Sequence, residues 1–182
     1  MGRIIVGLSG KAGAGKDTVA DLLVSRHGFR KFAFGRSVKD ACAAVFSFSH
    51  EQLYGSQQAK NSVDPAWGYS PRQAMQALGD ALRGALDSDV WVKSLARQIE
   101  LSGCDRVVIC DVRYQNEIDW LVQQGGVAIR IERPSSLHGS EAAHQSEIAL
   151  DSFSGWDYII RNESSIDRLT ADVDNITKQR KW

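Results

Sequence analysis

The sequence predicts an α/β fold with a central, mostly parallel sheet of five strands and with helices flanking the sheet. Two observations lead to this prediction. Short β-branched runs alternate with stretches of helical periodicity, and a glycine-rich loop separates the first such run from the first helix. The length of 182 residues and the hydrophobic fraction of 43% suit one globular domain with a sizeable core.

Two strands and four helices are predicted in the first half of the chain. Residues 3–8 form a β-branched run and residues 29–34 alternate in polarity, which is typical of strands. Ser70 and Pro71 supply an N-cap and a first-turn proline for one of the helices. Residues 55–69, rich in Gln, Ser and Asn, are predicted to be irregular. Helical spacing predicts the four helices at residues 16–25, 37–46, 71–85 and 89–101.

Three further strands and two helices are predicted in the second half. The strands are residues 106–112, 127–131 and 158–160, and the first of them is the strongest in the chain. Residues 116–124 and the tail from residue 165 have helical spacing. Ligands of such sheets bind beyond the carboxyl ends of the strands, so we expect the functional residues directly after the strands.

Composition argues against several classes of partner. The formal net charge of +0 gives no general attraction to nucleic acid polymers or membrane surfaces. No apolar run reaches the roughly 18 residues of a membrane span, and the start of the chain lacks the apolar stretch of a signal peptide. Cys42, Cys104 and Cys110 have no metal-ligand spacing and are interpreted as small hydrophobes. We therefore expect a cytoplasmic protein without a membrane or nucleic acid partner.

The loop between the first strand and the first helix carries the clearest chemical signal. Gly10, Gly15 and Lys16 fit the pattern G-x-x-x-x-G-K in the strand–loop–helix context that this pattern requires. Its glycines, including Gly13, let successive N–H groups turn inward, and the helix N-terminus adds a positive dipole end. Lys16 can then reach the β- and γ-phosphates of a nucleotide. The alternative is a glycine-rich turn with an incidental lysine.

Asp17 stands where such loops normally have a Ser or Thr that binds Mg²⁺. A carboxylate there repels phosphates unless a metal ion or a lysine screens it. Aspartate is nonetheless a good oxygen ligand for magnesium, directly or through water. Alternatively, Asp17 only stabilises the helix N-terminus by its charge. Thr18, one residue later, is placed to meet the α-phosphate.

A second acid follows the strongest predicted strand. Asp111 lies at the end of that strand, which suits a Walker-B-like acid that holds a magnesium-bound water or a substrate group. Arg113, two positions on, points toward the same face. Asn116 is interpreted as an N-cap of the next helix.

Basic and aromatic residues in the middle of the chain suggest a second binding site. A phosphoryl acceptor with its own phosphate needs cations, and the planar fork of arginine suits this role. Surface charge is the alternative, above all for Lys39 and Arg83. Trp91 could stack on a base, with core packing as its alternative, and so could Trp67 and Tyr69. The candidate cations are Arg36, Lys39, Arg72, Arg83 and Arg133.

Residues 134–147 contain two histidines and two glutamates but lack the H-E-x-x-H spacing of a zinc site. We interpret them as a lid that closes over a bound nucleotide. Arg133, at the base of this lid, is then a candidate catalytic cation.

Five segments resemble the phage and prophage deoxynucleoside monophosphate kinases over nearly the whole chain, in the order SGKAGAGKDT, FGRSVKDA, SPRQAMQALGDALR, CDVRYQNEID and HQSE. The G-K-D-[ST] form of the loop also occurs in animal-type phosphomevalonate kinases. The resemblance implies a three-layer P-loop NTPase fold, with one kinase domain over residues 1–182 and a monophosphate-binding insertion at residues 36–101. The chain differs in having Arg36 where the family often has Asp.

The resemblance also implies an activity and a set of roles. The ATP γ-phosphoryl group would pass to a deoxynucleoside monophosphate, with Mg²⁺ held near Asp17 and Asp111. Asp111 and Arg113 would border the reacting phosphates, Lys16 would be catalytic, and by analogy a homodimer is possible. Lys39, Arg72 and Arg83 would contact the acceptor. The ATP phosphates would be held by Gly10, Lys11, Ala12, Gly13, Ala14, Gly15, Lys16, Asp17 and Thr18.

Two other functions remain open at this point. One is another small-molecule kinase on the same fold, of the phosphomevalonate or dephospho-coenzyme-A type. The other is a nucleotide-binding module with little turnover. The chain lacks an N-K-x-D guanine signature and carries clustered arginines, which favours a kinase with a second phosphate. The accepted base and the preference for deoxyribose are not predicted.

Overall fold

The computed structural model describes residues 2–133 and 148–182. Its sheet has five strands in the order β2-β3-β1-β4-β5, and every neighbouring pair is parallel. Parallel neighbours need crossovers, and the described helices run between β1 and β2, between β2 and β3 and between β3 and β4. The predicted α/β class is therefore confirmed. The strands are β1 (Ile4–Ser9), β2 (Arg30–Phe32), β3 (Arg106–Ile109), β4 (Val127–Glu132) and β5 (Tyr158–Arg161).

The helices described lie between and after these strands. They are α1 (Lys16–His27), α2 (Gly35–Phe46), α3 (His50–Tyr54), α4 (Gln57–Asn61), α5 (Pro71–Ala85), α6 (Val90–Ser102), α7 (Gln115–Gln123) and α8 (Ile166–Arg180). None of the helices in the described part of the chain is long and apolar enough to cross a membrane.

The chain divides into two compact units. The first unit, residues 1–33 and 97–182, contains the whole sheet, and the second, residues 34–96, is helical. The second unit overlaps the insertion predicted at residues 36–101. The core of the first unit joins β-strand residues to α1 and α8, and includes Val6, Leu8, Val19, Leu23, Val108, Ile129, Leu169 and Val173. The core of the second consists of Val38, Cys42, Phe48, Leu53, Ala74 and Trp91.

Most predicted elements are observed with small changes at their ends. Helix α5 has the predicted bounds, and the Ser70 side chain accepts a hydrogen bond from the Gln73 N–H in a capping box. Strand β3 ends at Ile109, earlier than predicted, although the Val112 N–H still donates to the Leu8 carbonyl at 3.0 Å. Among the cysteines, Cys42 is fully buried and the other two are half-buried, and all three are free thiols.

Two short helices were missed by the sequence analysis. Residues 55–69 were predicted to be irregular, but α4 lies within them, and α3 precedes it. Each is five residues long, too short to show a helical period. The sequence feature that marks these two helices is the serine before each one. Ser49 and Ser56 both cap the helix that follows with a side-chain oxygen.

Candidate active site

The loop from Gly10 to Gly15 joins the carboxyl end of β1 to α1. Gly10 has φ 147° and Gly15 has φ 105°, a region that side chains other than glycine rarely adopt. A Cβ on Gly10 would lie 2.3 Å from the Ile131 carbonyl oxygen, and one on Gly15 would lie 2.4 Å from Asn162 Nδ2. Both glycines are thus required by conformation and by space.

Asn162 holds this loop from the neighbouring edge of the sheet. It follows β5 directly, and its Nδ2 donates a hydrogen bond of 2.9 Å to the Ala14 carbonyl. Asn162 was not among the residues predicted from the sequence. Its position directly after a strand was the available signal, but that strand was predicted too short to reach it.

Lys16 is curled back over the loop. Its Nζ donates to the Gly10 carbonyl at 2.5 Å and to the Lys11 carbonyl at 2.9 Å, and the residue is buried. Burial and the nearby Arg113 charge together lower the pKa of Lys16 to about 8, although Asp17 and Asp111 act in the opposite direction. The ammonium is therefore held in an environment that an added anion would stabilise.

Asp17 is paired with a lysine from β2. Lys31 Nζ lies 2.7 Å from Asp17 Oδ1 and 3.1 Å from Asp21 Oδ1, so one ammonium bridges two carboxylates on consecutive turns of α1. Lys31 was not among the residues selected from the sequence. It lies inside a predicted strand, and an isolated lysine in a strand is usually a solvent-exposed charge.

Asp111 and Cys110 follow β3. Asp111 is half-buried and lies close enough to influence both Lys16 and Cys110 electrostatically. Burial, with the Asp111 and Asp17 charges, raises the pKa of the Cys110 thiol to about 12. Cys110 is therefore a neutral thiol at physiological pH, which makes it a poor nucleophile and a poor metal ligand.

The Glu117 side chain fixes the turn that carries Arg113. This buried carboxylate accepts hydrogen bonds from the Arg113 N–H at 2.7 Å and from the Tyr114 N–H at 3.1 Å. Helix α7 begins at Gln115 with Tyr114 as the preceding cap residue. Asn116 therefore lies in the first turn, and its predicted role as N-cap is wrong.

Arg130, near the end of β4, was also missed. Its guanidinium donates to the Leu150 carbonyl at 3.1 Å and to Asp151 Oδ1 at 3.2 Å. Lys11 Nζ reaches the other oxygen of Asp151 at 3.1 Å. Together with Arg113 these residues line a cleft beside the loop, formed by Ser9, Gly10, Lys11, Val112, Arg113, Arg130, Leu150 and Asp151.

Arg133 is exposed and follows β4 at the same edge of the sheet. The lid predicted at residues 134–147 lies outside the described residues. The catalytic role of Arg133 accordingly stays a prediction.

The predicted acceptor cations of the second unit have partners within that unit. Arg72 donates from Nε to Asn61 Oδ1 at 2.6 Å and from its terminal nitrogen to Gln57, both amide oxygens on α4. Arg83 instead pairs with the Asp80 carboxylate at 3.2 Å. Lys39 places its ammonium 4.3 Å from the centre of the Tyr54 ring.

Trp91 is a core residue, which corrects its predicted role in stacking on a base. Only 6% of its surface is exposed, and its Nε1–H donates to the Gly79 carbonyl at 3.1 Å. Because its hydrogen bond is satisfied and its faces are covered by the core of its unit, it offers no stacking surface. Trp67 keeps 42% exposure while its ring packs edge-on against Phe46 at 5.2 Å.

The donor set suits a hard cation that also binds phosphates. Asp17 and Asp111 supply carboxylate oxygens, the ligands that magnesium prefers. Among the described residues, no group of three or more His, Cys, Asp and Glu side chains could hold a metal ion. One or two carboxylates with substrate phosphates are the usual magnesium environment in kinases, and these residues fit that pattern.

Comparison with known proteins decides the family. A sequence model of the family described as deoxynucleotide monophosphate kinase matches residues 48–173. The chain belongs to the deoxynucleotide monophosphate kinase family. A protein of Acanthamoeba polyphaga mimivirus, to which the same kinase activity is ascribed, is 34% identical over 186 residues, covering 93% of this chain and 94% of the viral protein. The resemblance found in the sequence is thereby confirmed.

Solved structures similar to this member of the deoxynucleotide monophosphate kinase family share its fold. A Thermus thermophilus protein is 16% identical with a TM-score of 0.59 and covers 98% of both chains. Shikimate kinase from Acinetobacter baumannii has a TM-score of 0.55 at 12% identity, covering 100% of this chain and 96% of its own. Dephospho-CoA kinase from Campylobacter jejuni has a TM-score of 0.54 at 14% identity, covering 98% and 97%. The predicted P-loop kinase fold is confirmed.

Proposed function

We propose that this protein transfers the γ-phosphoryl group of ATP to a deoxynucleoside monophosphate, giving ADP and a deoxynucleoside diphosphate. The observation that carries the proposal is the placement of two cations beside one loop. Lys16 is buried, and the Arg113 charge further disfavours its protonated form. A phosphate bound between the loop N–H groups and these cations relieves that repulsion, which is what a nucleotide supplies.

The loop and Lys16 bind the donor. Lys16 Nζ donates hydrogen bonds to the carbonyls of Gly10 and Lys11. Bound β- and γ-phosphates give the ammonium a charged acceptor instead, and charge-assisted bonds are stronger than bonds to neutral carbonyls. Lys16 then offsets the charge that develops on the transferred group.

Arg113 supports the same transfer from a fixed turn. Glu117 holds the backbone of residues 113 and 114, so the guanidinium starts from a defined position. Preorganised cations need no rearrangement as charge develops, which is the basis of electrostatic catalysis. Arg133 is a further candidate for this role.

Asp17 and Asp111 are the residues that would hold magnesium together with the nucleotide phosphates. The ion, when bound, neutralises charge on the phosphoryl oxygens. Asp111 follows β3, and Asp17 lies in the first turn of α1. Neither needs to act as a general base, because the acceptor phosphate is already an anion.

The second unit binds the acceptor nucleotide in this proposal. Arg72 is the best candidate, because two amide oxygens on α4 accept hydrogen bonds from its guanidinium and orient it. Lys39 is a second candidate. Arg83 is weaker, because its ion pair with Asp80 already offsets its charge.

An assay of ADP release across acceptors tests the proposal. The purified protein with Mg-ATP should release ADP only when a deoxynucleoside monophosphate is added, with at least one of the four giving clear saturation. Reactions without acceptor, and with ribonucleoside monophosphates, serve as controls. ADP release that responds only to dephospho-coenzyme A or phosphomevalonate would refute the acceptor assignment. ATP binding without any turnover would instead favour a nucleotide-binding module.

A further inference from the structure

The residue after the loop lysine poses a charge problem. At this position a hydroxyl normally faces the magnesium ion and costs nothing electrostatically. Asp17 brings a negative charge to the place where the nucleotide phosphates arrive. Its side chain is 79% exposed, so it is accessible to a ligand. An uncompensated carboxylate there would weaken nucleotide binding.

Lys31 supplies the compensation. Its ammonium lies 2.7 Å from Asp17 Oδ1, and its side chain is 31% exposed, so the pair is less screened by water than a fully exposed one. Although burial lowers the pKa of Lys31, hydrogen bonds to Asp17 and Asp21 outweigh it and raise the pKa overall.

Asp21 gives Lys31 a second partner one helical turn away. Two aspartates four residues apart on a helix repel each other, and the ammonium 3.1 Å from Asp21 relieves that repulsion. If Asp17 turns away toward another cation, Lys31 keeps a carboxylate and its charge stays compensated. The arrangement therefore tolerates two positions of the Asp17 carboxylate.

We propose that Lys31 is a positioning residue for Asp17, which offsets its charge as the nucleotide phosphates approach and retains Asp21 as a partner when Asp17 turns to the magnesium ion. This rests on the proposed function only in taking ATP as the phosphate-bearing ligand. It assigns to β2 a part in donor binding and explains how a carboxylate is tolerated after Lys16.

Binding of ATP measured by calorimetry, with EDTA and with excess Mg²⁺, tests this role without relying on activity. Lys31→Met should raise the Kd of metal-free ATP about 3- to 10-fold, and should raise that of Mg-ATP less. Lys31→Arg keeps the charge and should stay within about twofold of the wild type. Lys178→Met, which removes an exposed lysine from the last turn of α8, is the matched control and should change neither Kd.

A double-mutant cycle separates positioning from a simple loss of positive charge. In an Asp17→Asn background, Lys31→Met should change the Kd of metal-free ATP by less than about twofold, because the carboxylate that Lys31 serves is gone. Equal effects of Lys31→Met in both backgrounds would overturn the inference. So would a wild-type Kd for Lys31→Met.

Two further outcomes are a Lys31→Met variant that does not fold and a wild type that does not bind ATP. If Lys31→Met does not fold, as judged by circular dichroism, Asp17→Asn alone decides. It should tighten metal-free ATP binding by about twofold or less, since Lys31 already offsets that charge, and tightening of about tenfold would overturn the inference. If the wild type binds no ATP in either buffer, the proposed function fails together with the inference. Normal ATP binding that is insensitive to Lys31 would refute the inference alone.

Discussion

The phosphate-loop edge of the first unit and the helices of the second unit handle positive charge in opposite ways. At the loop edge, burial and the nearby Arg113 charge lower the pKa of Lys16. In the second unit, Arg83 lies 3.2 Å from a carboxylate and Lys39 lies over an aromatic ring. One region buries a lysine close to an arginine, and the other pairs its cations with a carboxylate and an aromatic ring.

This difference indicates where binding energy is available. A buried cation beside another cation is destabilising until an anion arrives, so the loop edge has a large free-energy gain to offer a phosphate. A cation already paired with a carboxylate offers little, because the new contact replaces an old one. Arg72 donates hydrogen bonds to two amide oxygens on α4, which orient its guanidinium.

The largest effect is expected at the loop edge. Lys16→Met should lower kcat by about 10²- to 10³-fold, because it removes a charge that acts on the transferred group. Lys11→Met is the matched comparison, since Lys11 belongs to the same loop but is paired with Asp151 at 3.1 Å. Steady-state kinetics should show a much smaller loss for Lys11. Equal losses would mean that pairing with a carboxylate does not predict which cation acts.

The stability of the same variant provides a pH signature. The pKa of Lys16 is about 8 in the folded protein against 10.5 for a free side chain, so between these values the unfolded chain holds a proton that the folded chain has released. Stability therefore rises with pH across this window, by at most ~3 kcal/mol, and below pH 8 the folded protein carries the full burial cost. Thermal melts should show any advantage of Lys16→Met shrinking as pH rises from 8 to 10.5. If Lys16→Met were more stable than the wild type by the same amount at every pH, burial of the Lys16 charge would not be the cause of the difference.

The second unit should show a smaller and more selective effect. Arg72→Met should raise the KM for the deoxynucleoside monophosphate about tenfold and leave the KM for ATP unchanged, because it removes an oriented cation from the acceptor site. Arg83→Met should raise the acceptor KM less than about threefold, because the Asp80 ion pair already offsets its charge. If the two variants behave alike, local pairing within this unit is irrelevant to binding.

Sequence patterns predicted those candidate site residues whose place is set by the strand, loop or helix that carries them. The strand, glycine loop and helix around Lys16 follow from local rules, since each has a spacing or conformation that few residue types satisfy. The placement of Asp111 after a buried strand follows from how parallel sheets are built. These features depend on neighbours in sequence, so the sequence displays them.

The residues that were missed act through partners far along the chain. Lys31 contacts Asp17 across 14 positions, Arg130 contacts Asp151 across 21, and Asn162 contacts Ala14 across 148. No period or motif records such a pairing. Trp91 shows the converse, since an aromatic residue on a helix looks the same in sequence whether it faces a ligand or a core.

A smaller effect than at Lys16 or Arg72 is expected at Asn162, and it tests whether donor binding depends on the rigidity of the loop. Its single hydrogen bond to the Ala14 carbonyl is worth about 1 kcal/mol, so Asn162→Ala should raise the Kd of Mg-ATP about fivefold. The acceptor KM should not change, because Asn162 belongs to the first unit and holds only the loop. Asn175→Ala, at an exposed position on α8, is the control for loss of an amide elsewhere in the same unit.

Such a result at Asn162 would sharpen the contrast between the two regions. The loop edge would then owe its affinity both to its cations and to a backbone held in the binding conformation before ATP arrives. If calorimetry instead showed unchanged ATP affinity with a lower melting temperature, Asn162 would serve only folding. The affinity of the loop edge would then come from its charges, because the glycine conformations alone would suffice to keep the N–H groups in place.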